Sequence, residues 1–296
     1  MVTEQEVEAI GRTLVDAAQP LPARFRALFT LRNLGGRAAV EWISRAFGDG
    51  SALLKHELAF CLGQMQDEAA IPVLIRVLGD TAQEPMVRHE AGEALGAIGN
   101  PAVLDVLKRY SQDPVVEVAE TCQLAVRRLE WLQSNKEKPG SSPYLSVDPA
   151  PPAEETDVAK LREILLDESQ ELFERYRAMF ALRNVGGQAA VLALAEGWDQ
   201  GAGWDTPSCT WGWGGDPWHP HLSAALRSRA ESPMVRHECA EALGSIARPS
   251  CLRALRAFAG DEERVVRESC QVALDMYEYE NGAQFQYADG LCKLQA

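Results

Sequence analysis

The chain has 296 residues, 46% of them hydrophobic, which suffices for a sizeable core in one large domain or two of ordinary size. A formal charge of −14 argues against nucleic acid or an anionic membrane as the main partner and favours a basic one. The opening MVTEQEVEAI is acidic and no apolar run reaches about 18 residues, so the expectation is a cytoplasmic protein without signal peptide or membrane span.

From the N-terminus, the first clear helical segment is Arg24–Gly36 (RFRALFTLRNLGG), which Gly35-Gly36 should end, because glycine accepts the left-handed conformation of a C-terminal cap. Two related segments follow, HELAFCLGQM from His56 and HEAGEALGAI from His89, 33 residues apart, a period suited to stacked helix pairs. In the second, Ala91, Ala94, Leu95 and Ile98 form a stripe at i, i+3, i+4 and i+7 that should bury one face. Pro72 and Pro101 stand where new helices begin, at no hydrogen-bond cost. No segment alternates with period two, so no sheet is expected, and the fold class is all-α.

The interval 134–157 (SNKEKPGSSPYLSVDPAPPAEETD) is proline-rich and poor in large apolar residues, and reads as a linker between an N-terminal half, 1–133, and a C-terminal half, 158–296. Beyond it the first half returns. Arg24–Gly36 recurs as Arg175–Gly187 (RYRAMFALRNVGG) at an offset of 151. Pro85–Gly99 recurs as Pro233–Ala247, and Glu120–Val126 (ETCQLAV) as Glu268–Leu274 (ESCQVAL), both at an offset of 148. The chain is a tandem duplication of stacked helical hairpins, and its two pseudo-symmetric halves are expected to face one another across a cleft.

Three of the five histidines are followed by glutamate: His56-Glu57, His89-Glu90 and His237-Glu238. Neighbouring helical positions point about 100° apart, so such a dyad can direct both side chains into one groove. Imidazole with carboxylate suits iron or manganese with open coordination positions. The seven scattered cysteines lack any CxxC and read as reduced thiols, not as a structural zinc site or disulfide framework. A single His-Glu pair at a helix start can also be a solvated or capping pair, since a carboxylate there complements the helix dipole. Recurrence of the dyad in duplicated units favours metal binding. Arg88 and Arg236, just before two dyads, are expected to pair along the helix surface, with orientation of a glutamate or substrate oxygen as the other reading.

LLKHELAFCLGQM from Leu53, EPMVRHEAGEALGAIG from Glu84, YLSVDPAPPAEE from Tyr144, SPMVRHECAEALGSIA from Ser232 and ADGL from Ala288 resemble deoxyhypusine hydroxylase, a HEAT-repeat family, over nearly the whole chain. The resemblance implies a HEAT-like helical-hairpin solenoid that hydroxylates deoxyhypusine on a translation initiation factor, using O2 at a non-haem di-iron centre. It implies no catalytic residues beyond the metal ligands: His56, His89 and Glu90 match ligands of one iron, His237 and Glu238 match ligands of the other, and Glu57 matches the partner of His56. A basic protein substrate carrying a polyamine-like side chain suits the acidic charge.

One interval departs from the pattern. The third dyad of the family would fall at 207 and 208, where this chain has Pro207 and Ser208, and five of the seven tryptophans crowd between Trp198 and Trp218. The segment 198–232 therefore reads as irregular, and a local change of reading frame or an altered exon explains it better than gradual divergence. His219 and His221 are read as part of an exposed loop without a helix to aim them. Three functional readings follow: an active hydroxylase, a metal-deficient isoform that binds the same partner, and a binding scaffold without metal.

Overall fold

The structure is a computed structural model, which describes residues 2–135, 146–199, 219–284 and 286–295. The positions 207 and 208 and the tryptophans between 204 and 218 lie outside the described residues. Among the described residues every regular element is helical. The chain divides into two compact units, Met1–Ser134 with Ala283–Ala296, and Asn135–Gly282.

The first unit is two layers of antiparallel helices. Its outer row is α1 (Glu4–Val15), α3 (Gly36–Arg45), α5 (Ile71–Gly79) and α7 (Leu104–Tyr110); its inner row is α2 (Leu21–Leu34), α4 (Ala52–Met65), α6 (Pro85–Ile98) and α8 (Val116–Ser134). Each outer helix packs on the inner helix that follows it, and α2, α4, α6 and α8 pack in succession. The reason lies in composition: α4 and α6 are buried on nearly all sides, and Ala91, Ala94, Leu95 and Ile98 are buried as the stripe requires.

Helix ends follow local chemistry. The Thr3 hydroxyl and the Glu6 carboxylate form a reciprocal cap on α1. The Ser51 hydroxyl accepts from the Leu54 amide, 3.0 Å, to open α4, and Pro85 opens α6. Gly35 ends α2 as the repeat implied, but with φ 66° and ψ −173°, an extended positive-φ conformation closed to other residues rather than the left-handed helical one. Gly186 does the same after α10.

In the second unit, α9 (Val158–Leu166) pairs with α10 (Leu172–Val185), followed by α11 (Gly187–Asp199). Next come α12 (His219–Arg227) with α13 (Pro233–Ile246) and α14 (Pro249–Phe258) with α15 (Arg264–Glu280). His219 and His221 thus open a helix, which corrects their reading as loop residues.

Two segments depart from the sequence reading. Residues 146–153 of the expected linker are packed on α10: Asp148 pairs with Arg183 at 2.6 Å, and the Ala153 amide donates to the Arg177 carbonyl at 3.0 Å. The chain's end, grouped by sequence with the second half, packs on the first. There α16 (Gly290–Gln295) lies against α1 and α2, Asp289 pairs with Arg26 at 3.0 Å, and the Gly290 amide donates to the Thr30 hydroxyl at 3.1 Å. The ADGL motif is therefore an anchor.

An arginine clamp recurs through both units. Arg24, Arg88 and Arg236 each donate from Nε to a leucine carbonyl of the preceding outer helix (Leu14, Leu78, Leu226) at 2.8–3.0 Å. Each also pairs with an aspartate beyond its own helix (Asp49, Asp113, Asp261) at 2.5–2.6 Å. Arg88 and Arg236 are buried, so the helix-surface pairing expected of them is replaced by a clamp that joins successive hairpins. It holds the residue immediately before His89 and His237.

Candidate metal centre

Each dyad lies one turn inside its helix, four residues after Ala52, Pro85 or Pro233. The helix ends there are served by Ser51 and Ser232 and by the prolines, so the dyad carboxylates do not act as caps. Glu57, Glu90 and Glu238 are 2%, 4% and 6% exposed, and the three histidines no more than 5%, which rules out a solvated surface pair.

Close helix packing brings the side chains together. Seven residues after each dyad histidine is a glycine: Gly63, Gly96 and Gly244. A Cβ on Gly63 would come within 2.7 Å of the Ala94 backbone, and on Gly96 or Gly244 within 2.8 Å of the Ala125 or Ala273 Cβ. Two helical turns from each dyad, adjacent inner helices therefore approach through glycine on alanine. This His-Glu-x5-Gly spacing was visible in the sequence as HELAFCLG, HEAGEALG and HECAEALG, and only the contact gives it meaning.

In the first unit α4 and α6 place His56, His89 and Glu90 so that one donor atom from each lies within 4.8 Å of the others, all three side chains buried. Glu90 Oε2 is 3.2 Å from His56 Nε2 and 3.6 Å from His89 Nε2. The two rings stack with centroids 5.8 Å apart. Glu57 stands behind, its Oε1 3.7 Å from His56 Nδ1.

The site's field favours a cation. Burial works to strip the proton from His56, yet Glu90 and Glu57 hold its basicity well above the ordinary imidazole value. A field that keeps a proton on a buried ring suits a divalent cation in the same place. Two imidazoles and a carboxylate converging in a buried interior fit iron or manganese. The neighbouring thiols do not compete: burial pushes Cys122 up to about 12 and raises Cys61 well above its usual range, so neither offers a thiolate.

In the second unit α13 presents His237 and Glu238, with Nε2 to Oε1 3.3 Å. Glu241, one turn on and buried, lies 3.4 Å from His237 Nδ1. Neither Glu241 nor the hydroxyls of Thr121 and Ser269, which touch the dyad histidines, was singled out from sequence, although ETCQLAV and ESCQVAL recur at the dyads' own offset of 148. Among the described residues, His219 and His221 join no cluster of ligand-type side chains.

Comparison with known proteins agrees with this architecture. Residues 39–127 match the model of HEAT repeats, and residues 174–197 that of the PBS lyase HEAT-like repeat. The chain is 77% identical to deoxyhypusine hydroxylase of Gallus gallus over the full length of both chains. It is 70% identical to that of Homo sapiens, over 99% of this chain and 98% of the human one. The solved structure of human deoxyhypusine hydroxylase in complex with glycerol superposes with a TM-score of 0.91 at 69% identity, over 93% of this chain and 97% of that one. Duplicated helical hairpins, buried His-Glu dyads and full-length identity together place the chain in the deoxyhypusine hydroxylase family.

Proposed function

We propose that this chain is a deoxyhypusine hydroxylase whose metal is iron. The observation that carries the reading is the convergence of His56, His89 and Glu90 inside the helical core. Three ionisable side chains buried together are costly unless a cation compensates them. In this reading His56, His89 and Glu90 hold one iron, with Glu57 beside His56, and His237 and Glu238 hold the second. Bound iron supplies the O2 activation needed to insert an oxygen atom at an unactivated carbon.

The protein's own contribution is to bind, orient and exclude water. The clamps at Arg88 and Arg236 fix the helix turns that carry His89 and His237, and the inner helices shield the dyads from solvent. The charge of −14 favours encounter with a cationic amine side chain on a basic protein, here a deoxyhypusine-bearing translation initiation factor met in the cytoplasm.

The test is iron per chain by elemental analysis after anaerobic reconstitution, paired with mass-spectrometric detection of an added oxygen atom on the deoxyhypusine substrate. Two irons with hydroxylated product is the expected result. A chain that retains one iron or none and gives no product overturns the reading, and would fit the absence of a dyad at Pro207-Ser208.

A further inference from the structure

In both units a hydroxyl from the next inner helix touches the second ring nitrogen of a dyad histidine. His89 Nδ1 lies 3.0 Å from Thr121 Oγ1 of α8, and His237 Nδ1 lies 3.0 Å from Ser269 Oγ of α15. The spacing is the same, 32 residues from histidine to hydroxyl. Thr121 and Ser269 are 7% and 0% exposed.

The proton on Ser269 is already committed, because its hydroxyl donates to the Val265 carbonyl at 2.7 Å. Toward the ring its oxygen can only accept, so His237 Nδ1 carries hydrogen and Nε2 keeps the lone pair. Glu241 Oε1, 3.4 Å from the same Nδ1, is a second acceptor and favours the same tautomer. Nε2 then points to Glu238, as Nε2 of His89 points to Glu90. His56 is held otherwise: the residue 32 positions on is Arg88, which is committed to Leu78 and Asp113.

We propose that Thr121 and Ser269 are positioning residues, whose hydroxyls fix His89 and His237 as Nδ1–H tautomers and aim Nε2 at the metal. The inference rests on the metal reading above and adds to it two residues outside the dyads. A ligand histidine whose far nitrogen is fixed loses less rotational freedom on binding, and its metal-side nitrogen is more basic.

The test uses the full chain and two readouts. One is anaerobic Co2+ titration followed by visible absorption; the other is the ring-nitrogen NMR spectrum of metal-free protein labelled at histidine. Thr121→Val keeps the volume and removes the hydroxyl, and Ser269→Ala removes it without filling the space. Each should weaken Co2+ binding about 10- to 100-fold, and Thr121→Val should also reveal Nε2–H tautomer signals, whereas in Ser269→Ala the Glu241 carboxylate still accepts from His237 Nδ1. Thr121→Ser should restore both readouts, and Ser269→Thr the Co2+ affinity. Co2+ affinity unchanged in the deletion variants, with tautomers unchanged in Thr121→Val, would overturn the proposal. So would failure of the hydroxyl-retaining variants to restore them, which would assign the positions to packing alone. If Ser269→Ala loses helicity, Thr121→Val decides. A wild-type chain that binds no Co2+ would sink the metal reading itself, while the tautomer comparison still judges the Thr121 hydroxyl.

Discussion

His56 Nε2 stands 3.2 Å from Glu90 Oε2, an approach made between α4 and α6, whereas Glu57, the residue next to His56 in the chain, lies farther away at 3.7 Å from Nδ1. In the first unit the dyads therefore act across helices. Glu90 is shared by His56 and His89, so its removal disables the whole cluster of the first unit.

Glu90→Gln and His89→Ala should each abolish iron retention by the first unit with helicity nearly unchanged. Elemental analysis and far-ultraviolet circular dichroism on the same samples check this. Parallel loss of metal and helix would make the residues structural.

Metal should stabilise the fold, since it binds the native arrangement and not the separated side chains of the unfolded chain. At a free Fe2+ concentration 100-fold above Kd the gain is about 2.7 kcal/mol, a rise in Tm of about 5–11 °C for a unit of this size. A chelator should reverse the shift, and His56→Ala should show a smaller one. A melting temperature indifferent to Fe2+ in the wild type would contradict specific binding.

The Arg88–Asp113 clamp sets a pH dependence. The Arg88 hydrogen bond, against the opposing effect of burial, holds the Asp113 carboxyl below its ordinary value. A carboxyl with a depressed folded pKa stabilises fully above its unfolded value and loses that stabilisation as pH falls through the folded one. Wild-type stability should thus decline below about pH 4, and Asp113→Asn, already lacking the charge, should decline less steeply. At neutral pH, Asp113→Ala should cost about 3–5 kcal/mol, because it leaves the Arg88 guanidinium buried without its partner. Urea denaturation across pH measures both effects.

Gly96→Ala should force α6 away from α8, since the new Cβ would meet Ala125 Cβ at 2.8 Å. Overpacking of this kind costs about 1–3 kcal/mol. It should also lengthen the His89–Thr121 contact and weaken metal binding. Ala125→Gly in the same chain should restore stability and binding together; restoration of stability alone would separate packing from ligand placement.

Much of this protein was legible in its sequence. Helical periodicity, the Gly35-Gly36 and Gly186-Gly187 stops, the duplication and the repeated His-Glu dyads are local or periodic signals, and they report the all-α hairpin architecture and the ligand types. Periodicity tells which face of a helix is apolar, but not which neighbour that face meets or how close it comes. Only the tertiary structure decided that Glu90 serves His56, that Arg88 and Arg236 are buried clamps, and that hydroxyls of Thr121 and Ser269 touch the dyad rings. Nor could the sequence show Asp289 returning to Arg26 or Asp148 pairing with Arg183. These contacts join residues far apart in the chain, where no repeat or spacing rule applies. They form because packed helices bring buried charges together that need partners away from water.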